Sequence, residues 1–336
     1  KREMKKTVII FTGGTISMKE DPMLGGTVPA LDSKEILSHM RTLSDEDIQE
    51  VEAIDFGPYA GPQMTPESMM ELTKIVREKV ADENVDGVVI THGTDTLEET
   101  AYFLDLAVHT EKPIVVVGSM RNASELGYDG PSNIASAIIT VKSQEAKRKG
   151  VLVVLNNQVN SAREVTKTHT LTLDTFKSPE FGPLGIVDNN EVLFMRQTMP
   201  HSHLEVDRYE EVFLLKTYAG MTSLELDFLI EHGAKGIVIE AMGRGNVPPS
   251  LIPAIQRGLE KGVIIVVVSR CPMGRVLGTY AYDGGGKQLQ EMGVFFGTSL
   301  NGQKMRIKLM LALGYTSDRD KLKEIVEKDI FYVDTH

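Results

Sequence analysis

GVVITHGTDTLEET, residues 87–100, contains a strand, a turn and a helix start in one short run. Val88, Val89 and Ile90 form a β-branched run that suits a strand buried on both faces. Thr96 followed by Glu99 has the spacing of a capping box, and Leu97, Ala101, Leu104 and Val108 supply the apolar stripe of a helix beyond it. His92, Gly93, Thr94 and Asp95 lie between the two, at the carboxyl end of the strand. Ligands bind there in open α/β sheets. Read alone, Thr94 and Asp95 fit equally well as residues that only end a strand and cap a helix.

The same grammar recurs on both sides of this stretch. Thr7–Phe11 reads as the first strand and runs into Thr12-Gly13-Gly14-Thr15-Ile16, a glycine-loosened loop with free N–H donors. That loop lacks the GxGxxG and GxxxxGK[ST] spacings, so it does not read as a dinucleotide or P-loop site. Met18 to Pro29, with Gly25 and Gly26, predicts a hairpin or surface loop, and a helix is expected near Ser33. A strand over Val51–Phe56 leads through GPYAGPQ to Thr65-Pro66-Glu67, which has the cap, first-turn proline and early acid of a helix start. Pro113–Gly118 predicts another strand ending in Ser119-Met120-Arg121, Asp129-Gly130-Pro131-Ser132 opens a helix, and Val151–Leu155 returns as a strand. Such alternation implies a mainly parallel sheet with right-handed crossovers and helices on both faces.

From Asn156 to Gly185 the rhythm gives way to polar, β-leaning sequence that reads as hairpins or loops. Met195 to Glu210 carries Pro200, two histidines and several charges without an apolar period, and reads as a linker. Alternation then restarts with EVFLLKT, a helix from Ser223, GIVIEAM, a helix after Pro248 and Pro249, VIIVVVS, and two helices around Lys304–Leu313 and Arg319–Lys328. The expected fold is therefore two α/β domains: a larger N-terminal one over 4–194, flavodoxin-like or Rossmann-like, then a linker over 195–211 and a smaller C-terminal one over 212–336.

Composition sets the outer bounds. The chain has 336 residues, 41% hydrophobic and 25% charged, which suits a soluble globular protein with a sizeable core. No apolar run approaches a membrane span, and the basic start KREMKKTVIIF passes straight into TGG, so it reads as a strand, not a signal peptide. The expected location is the cytoplasm. A net charge of −11 with an isoelectric point near 5.3 argues against a nucleic-acid binder. The single cysteine, Cys271, excludes an internal disulfide framework and is expected as a small buried or half-buried residue at a strand end. His92, His169, His201, His203 and His232 are scattered without HExxH spacing, so no metal site is expected. Gly284-Gly285-Gly286-Lys287 is followed by Gln288 where a phosphate loop needs a hydroxyl, and reads as a tight turn.

What remains for chemistry is Thr15 and Thr94 in glycine-flanked loops, Asp95, and Lys167 in a polar segment. A threonine hydroxyl becomes a nucleophile when a neighbouring base takes its proton, and a lysine beside another hydroxyl can serve. IIFTGGTIS over residues 9–17 and GVVITHGTDTL over 87–97 resemble the two signature motifs of the bacterial-type L-asparaginases, which include the asparaginase-glutaminases. The similarity extends to VGSMR at Val117, DGPSN at Asp129, REVTKTHT at Arg163, TFKSPEFGPLG at Thr175, RGN at Arg244 and SLNGQKMR at Ser299, so it spans nearly the whole chain.

The resemblance implies hydrolysis of L-asparagine to aspartate and ammonia through an acyl-enzyme on threonine, with no cofactor. Thr15 matches the family's nucleophile. Thr94, Asp95 and Lys167 match its second catalytic group, with Asp95 also contacting the substrate ammonium. Gln63 matches a substrate contact, Pro62 stands where a serine is common, Ser119 lies where the side-chain amide is held, and Asn246 lies where a neighbouring subunit completes the site. The implied partners are the small-molecule substrate and further copies of the chain, as a homodimer or homotetramer, with no nucleic acid and no membrane. Two departures stand out. The family's hairpin tyrosine is absent from Met18–Pro29, and where some members carry a glutamate this chain reads RVLGTYAYDGG, with Tyr280 and Tyr282 nearby. A related glutaminase, the D subunit of the tRNA-dependent glutamyl amidotransferase, typically has an extra N-terminal domain. TGGTI starts at residue 12 here, so an asparaginase is the expectation, with a non-enzymatic amino-acid sensor on the same fold as the competing class.

Overall fold

Alternation within the strands decides the layering. In β1 (Lys6–Phe11), Val8 and Ile10 pack into one apolar cluster while Ile9 and Phe11 pack into another, as the period of two requires. The computed structural model describes residues 5–21, 23, 26–29 and 51–333, and the helix expected near Ser33 lies outside them. After β1 come β2 (Met18–Asp21), β3 (Gly26–Pro29), β4 (Val51–Asp55), β5 (Val85–Thr91), β6 (Ile114–Val117) and β7 (Val151–Leu155). Then follow β8 (Gln158–Ser161), β9 (Thr166–Lys167), β10 (Phe176–Lys177), β11 (Gly185–Asp188) and β12 (Glu191–Phe194). One cluster joins Val88, Ile90, Ile114 and Val116 to Leu72 and Val76 of the Pro66–Ala81 helix and Leu97, Ala101 and Leu104 of the Leu97–Ala107 helix. The opposite cluster joins Val89, Val115 and Val117 to Ile134, Ala137 and Ile138 of the Gly130–Lys142 helix. Helices therefore cover both faces of the sheet.

The larger sheet runs β12-β11-β8-β7-β6-β5-β1-β4. β4, β1, β5, β6 and β7 are parallel neighbours, and β8, β11 and β12 extend the sheet antiparallel. Numbered by chain order, the parallel strands lie 2-1-3-4-5, the flavodoxin-like order, in which the direction of winding reverses between the first and third strands. That switch point falls between β1 and β5. The loops that leave those two strands are Thr12–Ser17 and His92–Thr96. β2 and β3 pair antiparallel with Met18 opposite Pro29, so the expected hairpin forms.

The chain divides between Met199 and Pro200 into two compact units. In the second, β13 (Val212–Lys216), β14 (Gly236–Ala241), β15 (Ile264–Ser269) and β16 (Phe295–Phe296) form a parallel sheet in chain order. Ile237, Ile239, Ile265 and Val267 pack there with Leu226, Ile230, Ala254 and Ile255 from the Leu224–Glu231 and Ile252–Glu260 helices. The final helices run Gly302–Tyr315 and Arg319–Glu327. Two expectations change here. Cys271 is exposed, because β15 ends at Ser269 and the chain leaves the sheet before reaching it. Gly284 and Gly285 do make a turn, but it opens the Gly286–Met292 helix, and that helix and β16 are too short to show a period.

Three strand-end loops of the first unit touch backbone to backbone. A Cβ on Gly14 would lie 2.3 Å from Gly93 Cα, and one on Gly93 would lie 2.6 Å from Gly61 N. Gly14 also holds φ at +88°, a left-handed conformation in which side chains are strained. Gly182 has a comparable φ of +75° with open space around it, so it separates strain from clash. Gly182→Ala should cost about 1 kcal/mol for the left-handed backbone alone. Gly14→Ala should cost about 3 kcal/mol once overpacking is added. Paired denaturant melts check this, and equal losses in the two variants would remove the clash from the explanation.

Candidate active site

The site is built on the switch point. Thr12 ends β1 by donating from both N and Oγ1 to Thr91 O, at 3.2 and 2.6 Å, which ties the two loops together at their roots. Thr15–Ser17 then forms a single 3-10 turn, closed by Ser17 N donating to Gly14 O at 3.0 Å. Thr15 is half-buried and Ser17 buried. On the other loop His92 is fully buried, with Nδ1 2.7 Å from Gly93 O and Nε2 2.7 Å from Thr100 Oγ1. A carbonyl only accepts, so Nδ1 carries the proton and Nε2 accepts from the Thr100 hydroxyl. The ring braces the turn that presents Thr94 and Asp95.

Lys167 reaches this turn from the β9–β10 hairpin, where it pairs with Phe176. Its Nζ donates to Thr94 Oγ1 at 3.0 Å and to Asp95 Oδ1 at 2.7 Å. Thr94 is 6% exposed, whereas the Asp95 side chain is 58% exposed. An ion pair that open to solvent contributes about 1 kcal/mol or less to stability, so its chief effect is to fix where the lysine points. Thr94, Asp95 and Lys167 thus form one contact group on the loop beside the Thr15 turn.

Thr96 corrects the sequence reading. Its hydroxyl makes no cap for the Leu97–Ala107 helix and instead donates to Gly61 O at 2.7 Å. A lost cap costs about 1 kcal/mol and a hydrogen bond returns about the same, so the tertiary contact is affordable and holds the third loop against the second. That third loop carries Pro62 and Gln63, both exposed. Gln63 Oε1 accepts from Ala60 N at 2.7 Å, which leaves its Nε2 as the outward donor. Ser119, fully buried after β6, donates from Oγ to Arg121 O at 2.8 Å. Asn246 belongs to the second unit, where its backbone bridges Met242 and its Oδ1 accepts from Gly286 N at 3.1 Å. Tyr280 and Tyr282 are also in that unit, exposed, with ring centroids 5.5 Å apart.

Three supporting residues escaped the sequence reading. Glu98, only 4% exposed, accepts from Thr166 Oγ1 at 2.8 Å and from Lys167 N at 3.3 Å, so it holds the strand that carries the lysine. Asp129 accepts from Met120 N and Arg121 N at 3.0 and 2.9 Å, which folds the segment after Ser119 back on itself. Tyr128 donates to Ile16 O. A glutamate in a helix's first turn reads as a local cap and a tyrosine beside a DGP turn as part of the turn, and nothing in their sequence points to partners as far along the chain as those of Glu98 and Tyr128. Among the described residues no group of three or more metal-ligating side chains gathers anywhere.

With this geometry in place, the comparisons are consistent along the whole chain. Residues 6–200 match the family described as Asparaginase, N-terminal, and residues 211–326 match the Glutaminase/Asparaginase C-terminal domain. An L-asparaginase of Bacillus licheniformis is 36% identical over 313 residues, covering 92% of this chain and 95% of that protein. A glutaminase-asparaginase of Pseudomonas aeruginosa is 32% identical over 334 residues, covering 96% and 90%. The crystal structure of a probable cytoplasmic L-asparaginase from Campylobacter jejuni aligns with a TM-score of 0.84 at 34% identity, covering 96% of this chain and 99% of that one.

The buried His92 gives the site an acid limit. Burial lowers its pKa from 6.5 to about 4 against the smaller, opposing effect of the Gly93 carbonyl. In the unfolded chain the imidazole takes up a proton as pH falls below 6.5, while the folded one stays neutral to about pH 4. Stability is therefore unaffected above pH 6.5 and falls with pH between 6.5 and 4, by an amount on the order of 3 kcal/mol. Denaturant midpoints of the wild type and His92→Asn at pH 7.5 and 4.5 test this. The wild type should lose more stability between the two, and parallel losses would show that His92 is not the group responsible.

Proposed function

The chain belongs to the bacterial-type L-asparaginase family, and from that premise we propose that it hydrolyses L-asparagine to L-aspartate and ammonia through an acyl-enzyme on Thr15. The observation that carries the reading is the reach of Lys167 Nζ to both Thr94 Oγ1 and Asp95 Oδ1, on the loop that abuts the Thr15 turn. Asp95 Oδ1 takes the lysine, which leaves Oδ2 to receive the substrate's α-ammonium as a charge-assisted hydrogen bond. Gln63 Nε2 and backbone N–H groups of the loops hold the α-carboxylate, and Ser119 lies on the loop that receives the side-chain amide.

Thr15 Oγ1 attacks the amide carbon, its proton leaves through the Thr94–Lys167 pair, and backbone N–H donors hold the oxyanion. The C–N bond then breaks, the nitrogen gains the proton and departs as ammonia, and the aspartyl group remains as an ester on Thr15. Water cleaves the ester to give aspartate and restores the threonine. No step calls for a cofactor. Asn246 is proposed to complete the site of a neighbouring copy, and light scattering that finds an active monomer would remove that part.

A second substrate is supported by a specific likeness, to a relative described as a glutaminase-asparaginase. Ammonia release from L-asparagine, L-glutamine and D-asparagine, measured side by side, tests the assignment. L-Asparagine should be turned over fastest and L-glutamine slowly. Release from none of the three would favour a binding protein on this fold. Within the active enzyme, Thr94→Val and Lys167→Met should each lower kcat by at least about 100-fold, with the double variant little worse than the poorer single, as for residues that act as a unit. Losses that multiply would mean the two act separately.

A further inference from the structure

The turn that carries Thr15 has little to hold itself. It is three residues long, it closes only on local backbone hydrogen bonds from Ser17 N to Gly14 O and from Met18 N to Thr15 O, and it follows Gly13 and Gly14, which offer no side chain to pack. Its placement must come from outside. The segment between β6 and the Gly130–Lys142 helix supplies it at two points. Tyr128 Oη donates to Ile16 O, the carbonyl of the residue after Thr15, and Ala123 N donates to Met18 O at 3.0 Å, where β2 begins.

That segment is itself fixed. Asp129 accepts from Met120 N and Arg121 N, and Glu125 Oε1 accepts from Asn122 N and Nδ2 at 3.1 and 2.7 Å. The Tyr128 ring packs on the cluster that includes the fully buried Ile16. Burial, assisted by the nearby Asp129 charge, pushes its phenol well above the ordinary tyrosine range, so the hydroxyl stays a protonated donor. One segment therefore begins with Ser119 and ends with a grip on the turn that holds Thr15.

We propose that Tyr128 is a positioning residue, whose hydroxyl sets the Thr15 turn in register with the amide-receiving loop that starts at Ser119. The inference rests on the reading of Thr15 as the nucleophile in asparagine hydrolysis. Its force comes from geometry: misplacing a reacting atom by about 1 Å costs on the order of 100-fold in rate while leaving substrate binding largely intact. Tyr128→Phe deletes the hydroxyl, and with it the bond to Ile16 O, and keeps the ring in its apolar contacts.

The test is steady-state hydrolysis of L-asparagine by the wild type and Tyr128→Phe across a pH series, with a thermal melt of each. The variant should show kcat lowered about 10- to 100-fold, KM within about threefold, an unmoved pH profile and a melting point within a few degrees of wild type. A kcat within twofold of wild type overturns the proposal. So does a rate loss that comes with an equal rise in KM, a collapsed melting point or an unfolded variant, since each makes the hydroxyl a general fold anchor. A displaced pH profile overturns it in the other direction, by making Tyr128 a proton-transfer group. The wild type separates the two readings: if it is inactive, the functional assignment fails and this inference with it. An active wild type with an unaffected variant removes this inference alone.

Discussion

The close approach of Gly14, Gly93 and Gly61 is the constraint on which the rest of the site depends. Each belongs to a different strand-end loop of the first unit, and each lies where a Cβ would meet the backbone or Cβ of the next loop at 3.0 Å or less. With side chains at these positions the loops would separate, and the Thr15 turn would part from the loop that bears Thr94 and Asp95. The sheet order supplies the place for this contact. Loops leaving β1 and β5 diverge to opposite faces at a switch point, which opens a crevice between them. The glycines then let the loops approach at the root of that crevice.

Hydrogen bonds from distant segments complete what the glycines begin. Lys167 is held at both ends: Nζ by Thr94 and Asp95, and its backbone N–H by Glu98. All three partners lie on one short stretch, 94–98, so the β9–β10 hairpin and the start of the Leu97–Ala107 helix behave as one body. Glu98 is nearly buried, and a buried carboxylate is tolerated only when hydrogen-bonded, which it is. The partly exposed Asp95 contributes little to stability by comparison. Stability is thus concentrated in the support, and the Asp95 carboxylate stays open to solvent.

Much of this was legible in the sequence, for a physical reason. Strands such as Val88–Ile90 and Val151–Leu155 are buried on both faces, so their β-branched runs announce them, and loops at their carboxyl ends follow from the parallel order. Thr15, Thr94, Asp95 and Lys167 could be singled out by residue type and by resemblance. The failures have two causes, a distant partner and a strand that ends early. Thr96 has the spacing of a cap, yet bonds to Gly61, 35 residues away. Cys271 follows an apolar run, yet the strand stops before it. Tyr128 bonds to Ile16, 112 residues away. Local pattern records what a residue can do with its neighbours in sequence, and Thr96 and Tyr128 are decided by neighbours in space.

The most direct test of the central claim, that Thr15 is the acylated residue, is peptide mapping by mass spectrometry after reaction with an electrophilic analogue of L-asparagine. A single adduct is expected, on Thr15, forming at the rate at which activity is lost and suppressed by L-aspartate. An adduct on Thr94 with Thr15 unmodified, in a protein that hydrolyses asparagine, would contradict it.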